Sequence, residues 1–424
     1  MHLGLSPNPN VAPASINHLA HLIRMSSSLS LSVLDQSPVP AGFTPSDALA
    51  NSLALAQHVD ALGYTRLWYS EHHAMDLLAC TAPEILIARA AAATTRIRVG
   101  SGGIMLPHYS PLKVAEVFRT LHAMFPNRID LGIGRAPGGG QLEAHALKRD
   151  RDAPPKDDFL QQLSELRAYL HPERWELHKD ARGPHPYSRI RVAPDAPGAP
   201  DIWLLGSSMW SAVTAAQEGL PNAFAHFFSP IQTRAAIEYY QRNFIPQPTT
   251  NLSSRPESAS FAPINLSSRP ESAPFADAVE RPASPASATI QTPRTTPEAT
   301  LAIGVICADT DAEAHHLHAS VRLLQRRIRM DDRRPVATPE DALIELGKTP
   351  TAPNPLIPFT AGSLDAPEDT EWPRYLVGTP GKVALQLRNL ATDLNLTELI
   401  INTITHSHEA RLRSYTLLAE AMNL

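Results

Sequence analysis

The sequence predicts an α/β fold in which eight parallel strands close into a (β/α)8 TIM barrel. Three observations support this prediction. Short apolar runs alternate with amphipathic stretches of helical length along most of the chain, which is the pattern of repeated βα units. Eight such units favour a closed barrel over an open doubly wound sheet. The length of 424 residues, of which 43% are hydrophobic, suffices for the core of a large barrel.

Cap residues mark several element ends. Thr44 and Pro45 begin the first helix, Gly63 ends it, and Ser110 is the candidate N-cap of the third. Irregular connections are predicted at 136–155 and at 171–200, the second with room for a small hairpin. The predicted strands are 29–34, 66–70, 97–106, 128–133, 202–205, 222–227, 301–308 and 398–403. The predicted helices are 44–63, 83–95, 111–124, 157–170, 211–219, 231–244, 311–330, 379–393 and 408–422.

The segment 97–135 contains strand three, helix three and strand four of this pattern. Gly102 and Gly103 interrupt strand three. Such a pair permits a close approach to the backbone or an unusual backbone dihedral, and a simple tight bend explains it equally well. Strand four delivers Arg135 to its carboxyl end, where parallel α/β folds place their chemistry.

Composition excludes several classes of function. The formal net charge of -5, with no basic block, argues against a nucleic-acid partner. The two cysteines, Cys80 and Cys307, give neither a disulfide framework nor a zinc spacing. No apolar run approaches the roughly twenty residues that span a bilayer. Residues 1–28 lack the features of a secretory signal and are predicted to be a disordered extension, with Met25 as an alternative start. We therefore expect a cytoplasmic protein without a membrane partner.

One segment breaks the rhythm of the barrel domain, which is predicted to cover residues 29–424. Residues 246–297, between helix six and strand seven, hold ten of the 40 prolines and contain an internal duplication. Residues 251–262 recur at 265–276, with Pro274 in place of Ser260. This Pro- and Ser-rich composition cannot bury enough surface to offset the entropy of ordering, so we predict a disordered insertion.

Glu71, His72 and His73 follow the second predicted strand. Successive strand residues point to opposite faces, so the two histidines diverge and fit a metal site poorly. A hydrogen-bonded structural role is the simplest explanation for either histidine alone. The position of His72 at a strand end makes it the better catalytic candidate.

Two features suit an anion. Arg135 precedes a glycine-rich segment, and an arginine fork beside flexible backbone suits phosphate or carboxylate. Ser207, Ser208 and Ser211 lie where strand five turns into a helix, whose first amides can bind an anion. A surface ion pair and ordinary helix capping are the simpler alternatives. No Walker loop is present, and no Gly-x-Gly-x-x-Gly motif follows strand one, so a dinucleotide fold is unsupported.

With these motifs in this order, the chain resembles the bacterial luciferase-like flavin-dependent monooxygenases, in their single-chain branch. The resemblance covers the predicted barrel except the insertion. The segments that carry it are Glu71-His72-His73, 100–107, 125–135, 205–208, 215–221 and Gly378-Thr379-Pro380.

The resemblance implies a barrel that binds FMN at the carboxyl ends of its strands. The active-site histidine falls on His72, the phosphate-binding arginine on Arg135, and the phosphate-binding turn on Ser207, Ser208 and Ser211. A non-proline cis peptide falls at Gly102-Gly103, under the flavin ring. Gly134 stands where light-emitting members carry a reactive cysteine, which puts light emission in doubt. His226, at the end of strand six, is a candidate substrate residue by position alone.

The resemblance further implies an FMN-dependent monooxygenase that uses reduced flavin (FMNH2) and O2 on a small organic substrate. A separate NAD(P)H-flavin reductase is the expected source of reduced flavin, and a homodimer is a candidate assembly. Two alternatives stay open: a deazaflavin-dependent hydride-transfer enzyme on the same fold, and a flavin-binding protein without turnover.

The insertion gives a first testable prediction. Replacing residues 246–297 by a short Gly/Ser linker should leave FMN affinity within a few fold, because the segment has no pattern that would pack on the barrel. Flavin fluorescence titration of the deletion variant measures this. Loss of soluble folded protein would contradict the prediction.

Overall fold

The computed structural model describes residues 29–147, 157–246, 294–348 and 370–424. The predicted extension at 1–28 and most of the predicted insertion at 246–297 lie outside these ranges. Within the described ranges, no helix combines the length and apolar character needed to cross a membrane.

Eight parallel strands close into a barrel, which confirms the predicted TIM-barrel fold. The first strand pairs with the last, and the seventh pairs with both the sixth and the last. The strands of the barrel are β1 Ser30–Asp35, β2 Arg66–Tyr69, β3 Arg98–Met105, β4 Ile129–Gly134, β5 Asp201–Gly206, β6 Asn222–Ala225, β7 Ala299–Cys307 and, as the ninth strand of the described chain, β9 Glu398–Asn402.

The helices begin and end near the predicted positions. Thr44 forms a capping box with Asp47, and Gly63 ends the first helix with a φ of 101°. Ser110 occupies the N-cap of the third helix without a side-chain cap bond. The helices around the barrel are α1 Pro45–Leu62, α2 Pro83–Ala93, α3 Pro111–Met124, α5 Phe159–Leu170, α6 Met209–Glu218, α7 Thr233–Asn243, α10 Pro380–Asp393 and α11 His408–Met422, with a short α4, Gln141–Leu147, before α5.

An unpredicted cap lies between β7 and α10. It consists of α8 Asp311–Arg329, α9 Pro339–Leu346 and β8 Tyr375–Gly378. Residues of α8 and β8 share an apolar cluster with Leu77 and Leu78, which follow β2, so the cap covers the carboxyl end of the barrel. The predicted helix 311–330 is present as α8, but it lies in the cap and not on the barrel wall. The barrel helix is α10, whose Val383 and Leu387 belong to the main core.

The cap is joined to the barrel through β7. The second half of this strand extends past its pairing with β6 and pairs with β8 from Gly304 to Cys307. A β-carbon at Gly304 would lie 2.4 Å from the ring of Tyr375, so only glycine lets that ring pack on the strand. The Tyr375 hydroxyl also donates to Oδ1 of Asn402 in β9, at 3.3 Å.

Two predicted irregular connections contain short helices. The connection after β4 includes α4. The segment predicted to have room for a hairpin contains two 3-10 helices, Pro172–His178 and Pro186–Arg189, and a single antiparallel bridge between Asp180 and Gly183.

A buried charge network fills the amino-terminal end of the barrel, the floor. Asp130 accepts bonds from Arg66 at 3.0 Å, from the Trp68 indole at 3.0 Å, and from Arg98. Burial acts to raise the pKa of Asp130, but the two guanidinium groups outweigh it and hold that pKa below its usual value.

The floor also corrects the limit of the predicted insertion. Arg294 lies 3.4 Å from Asp201 and pairs with Glu298, so residues 294–297 belong to the described barrel. A deletion that spares the floor would end at residue 293.

We expect Asp130→Asn to lower the free energy of unfolding by about 3 kcal/mol or more, because two arginines lose a buried partner. Urea unfolding at pH 7 measures the loss. Because the folded-state pKa is depressed, the Asp130 contribution is present above about pH 4 and disappears as pH falls through the lower, folded value.

Asp180→Asn is the matched control, since Asp180 pairs with Arg182 on the surface and should barely change stability. Equal unfolding midpoints for the two variants would contradict the role of Asp130.

Candidate active site at the barrel mouth

The carboxyl ends of β2, β3 and β4 are held together by one buried carboxylate, Glu71. Its Oε1 accepts from His73 Nε2 at 2.7 Å and from the Tyr109 hydroxyl at 2.8 Å, and its Oε2 accepts from Met105 N at 3.0 Å. The His73 amide donates to the carbonyl of Gly138, at 2.9 Å, in the connection after β4. Glu71 and His73 therefore lie on one side of the strand end, and His73 has a structural role.

His72 differs from its neighbour in having a free ring nitrogen. Its Nδ1 is buried and has no hydrogen-bond partner among the described residues. Its Nε2 lies 3.4 Å from Nε2 of Gln36, at the end of β1. Burial lowers the pKa of His72 to about 4, against the opposing effect of the Gly138 backbone and assisted by His73. The ring is neutral at pH 7, and its Nδ1 makes no hydrogen bond of good geometry to the described residues, although the Gly138 backbone lies close enough to raise the pKa.

Arg135 and the turn after β5 meet through a tryptophan. The Arg135 guanidinium lies over the ring of Trp210, 4.1 Å from its centroid, in the first turn of α6. The side chain is 44% exposed and also lies 3.5 Å from Asp157. Stacking holds the guanidinium beside the helix N-terminus while leaving its donors accessible. The structure thus brings together two features predicted separately, and Trp210 is the contact that sequence analysis missed.

The three serines of this turn are not equivalent. Ser208 is the exposed N-cap of α6 and makes no side-chain cap bond, and Ser207 is partly exposed. Ser211 is buried, and its hydroxyl donates to the Ser208 carbonyl at 2.8 Å. A β-carbon at Gly206 would lie 2.4 Å from Ser211 Oγ, so the turn is packed tightly. Ser211 shapes the turn, and its role as a direct ligand stays a prediction.

The peptide bond between Gly102 and Gly103 is cis, as the resemblance implied. A β-carbon at Gly102 would lie 2.8 Å from Leu34 Cδ1, and one at Gly103 would lie 2.6 Å from the Gly132 carbonyl oxygen. The backbone contact therefore requires glycine at 103, whereas a side chain at 102 would have to displace the Leu34 methyl group. The contact of both glycines with a cofactor stays a prediction.

His226, the predicted substrate residue, is buried and fully engaged. Its Nδ1 lies 2.7 Å from Thr233 Oγ1, and its Nε2 lies 3.0 Å from the Pro373 carbonyl. These bonds tie the end of β6 to α7 and to the segment before β8. They explain the residue structurally and give no support to a substrate contact.

Comparisons with known proteins identify the family of the chain. The profile of the luciferase-like monooxygenase family matches residues 28–250. A luciferase-like monooxygenase of Escherichia coli strain K12 is 32% identical over 389 residues, covering 92% of this chain and 96% of the relative. The crystal structure of apo-MsnO8 is 41% identical, with a TM-score of 0.73, and the match covers 93% of this chain and 99% of that one.

More distant structures share the fold alone. The oxygenating constituent of 3,6-diketocamphane monooxygenase, solved with FMN, is 18% identical, with a TM-score of 0.60 over 93% of this chain and 98% of its own. An F420-dependent secondary alcohol dehydrogenase is 12% identical, with a TM-score of 0.54 over 93% and 99%. The family profile and the full-length relatives establish that the chain belongs to the luciferase-like monooxygenase family.

Proposed function

We propose that the protein is an FMN-dependent monooxygenase that uses reduced flavin and O2 to oxygenate a small organic substrate. One observation carries the proposal: an accessible arginine beside a helix N-terminus and a neutral buried histidine lie at the same end of the barrel. Arg135 and the start of α6 form the first, and His72 forms the second. A phosphorylated redox cofactor needs a group that binds its phosphate and a polar group that is shielded from water.

The residues present fit FMN. Its phosphate would accept from the Arg135 fork, from the hydroxyls of Ser207 and Ser208, and from amides at the start of α6. One amide there, that of Met209, already donates to Oε1 of Gln232 at 3.0 Å. When bound, the flavin supplies the oxygen-activating redox chemistry.

The chain's own residues prepare the site for that chemistry. His72 is neutral, so it can donate a hydrogen bond without bringing a charge into the mouth, and it becomes positively charged only when it takes up a proton. The cap packs on the residues after β2, and this cover limits the access of water. Glu71 fixes the strand ends around His72. A separate NAD(P)H-flavin reductase would supply reduced flavin, as the family resemblance implies.

The His72 role is tested by paired alanine variants. His72→Ala should bind FMN but lose turnover by roughly a hundredfold or more, the usual effect of a lost acid-base group. His73→Ala is the matched control from the same strand end. It removes a hydrogen bond to Glu71, so it should lower the melting temperature and have little effect on the turnover rate. The measurement is protein-dependent oxidation of reduced FMN together with product formation on substrates found in a panel of small carbonyl and apolar compounds. Wild-type turnover in His72→Ala would exclude the catalytic role.

The phosphate site is tested by comparing FMN with riboflavin, which lacks the phosphate. Wild type should prefer FMN, and Arg135→Ala should lose about 2 kcal/mol of that preference, roughly thirtyfold, since one charge-assisted contact of a half-exposed arginine is removed. Arg135→Lys should recover only part, because an ammonium cannot form the fork. Flavin fluorescence quenching at one salt concentration measures all three proteins.

Arg234→Ala supplies the control for that experiment. Arg234 also lies over a tryptophan, Trp372, at 4.9 Å, and it forms an ion pair with Glu371. It should leave the FMN preference unchanged. An unchanged preference in Arg135→Ala would place the phosphate elsewhere, and tighter binding of the deazaflavin F420 than of FMN would favour the hydride-transfer alternative.

A further inference from the structure

Gln36 is a buried glutamine at the carboxyl end of β1, only 7% exposed. Its Nε2 is the one side-chain atom of the described residues within hydrogen-bond distance of His72 Nε2, at 3.4 Å. An amide that is buried beside a reactive imidazole constrains where the imidazole carries its proton.

The backbone on both sides of this contact is held rigidly. Asp35 accepts from Arg411 at 2.7 Å and from the Ser37 amide at 2.8 Å, so residues flanking Gln36 are fixed. The carbonyl of Ser37 accepts from Ala79 N at 2.9 Å. The backbone amide of His72 donates to the carbonyl of Cys80, the residue after Ala79, at 3.1 Å. Gln36 and His72 are thus both tied to the same short segment, which sets the separation of their side chains.

The chemistry of the pair decides the tautomer. A side-chain amide nitrogen has two donors and no acceptor. A neutral imidazole has one donor nitrogen and one acceptor nitrogen, so the nitrogen facing the amide must be the acceptor. With the amide nitrogen of Gln36 facing the ring, Nε2 accepts and the proton lies on Nδ1, the nitrogen without a hydrogen-bond partner of good geometry among the described residues.

We propose that Gln36 is a positioning residue that selects the Nδ1-protonated tautomer of His72 and so presents a hydrogen-bond donor to the bound flavin or substrate. The inference rests on the proposed function for the identity of that ligand. The tautomer itself is a property of the flavin-free protein and can be measured without turnover.

The experiment uses the full chain without flavin, labelled with 15N and 13C in histidine, at pH 7.5. The His72 ring signals are assigned by their absence in His72→Gln, and their chemical shifts distinguish the two neutral tautomers. We expect mainly the Nδ1-protonated form in wild type, a shift toward the Nε2-protonated form in Gln36→Leu, and a complete shift in Gln36→Glu, whose carboxylate can only accept. An Nε2-protonated ring in wild type, or an unchanged ring in Gln36→Leu, would overturn the proposal.

Controls separate positioning from stability. Gln386→Leu removes a glutamine from α10 and should leave the His72 signals in place. Thermal unfolding verifies that each variant is folded, and Gln36→Glu provides the test if the leucine variant does not fold. With FMN bound, Gln36→Leu should keep the dissociation constant within about threefold while product formation falls about tenfold or more. The tautomer change without any oxygenase activity in wild type would refute the proposed function and still support the role of Gln36.

Discussion

The geometry of the mouth depends on one buried carboxylate. Glu71 has no exposed surface, and its two oxygens accept three bonds from groups on different strand ends. A buried carboxylate is costly unless its lone pairs are used, so each donor must stay in place. This requirement joins the end of β2 to the start of the connection after β3. Through His73 and Gly138 it also reaches the connection after β4, which carries Arg135.

The two ends of the barrel use charge differently. At the floor, Asp130 forms ion pairs with two arginines, and these pairs hold neighbouring strands together. At the mouth, Arg135 is partly exposed and stacked on an aromatic ring, and His72 is neutral with an unused nitrogen. Charges satisfied within the protein give stability, whereas those left accessible can bind a ligand.

Local sequence patterns predicted the features that depend on residues close together in the chain. The alternation of apolar runs and amphipathic stretches predicted the barrel, and the motifs around His72 and Arg135 predicted a candidate site at the strand ends. The contact between Gln36 and His72 joins two strands whose register no periodicity reveals. Trp210 stood next to the predicted serine turn, but only the structure shows that Arg135 crosses from β4 to meet it.

Errors arose where the chain departs from the repeated unit. The strand β8 has four residues, too few for a clear alternation, and α8 has the amphipathic pattern of any barrel helix. The pattern of α8 therefore predicted a helix of the barrel itself. The predicted substrate role of His226 rests on its place after a strand and stays a prediction, whereas its bond partner Pro373 lies 147 positions further along the chain. Such a pairing cannot be inferred from spacing.

The attachment of the cap limits how the mouth can open. A lid on two flexible linkers can swing away while its own hydrogen bonds survive. Here β7 runs from the barrel wall into the cap without interruption and pairs there with β8 along four consecutive residues. The Tyr375 ring rests against Gly304 of the same strand. A hinge motion of β8 would have to break this ladder. A ligand must therefore enter and leave the barrel between the cap and the loops that face it.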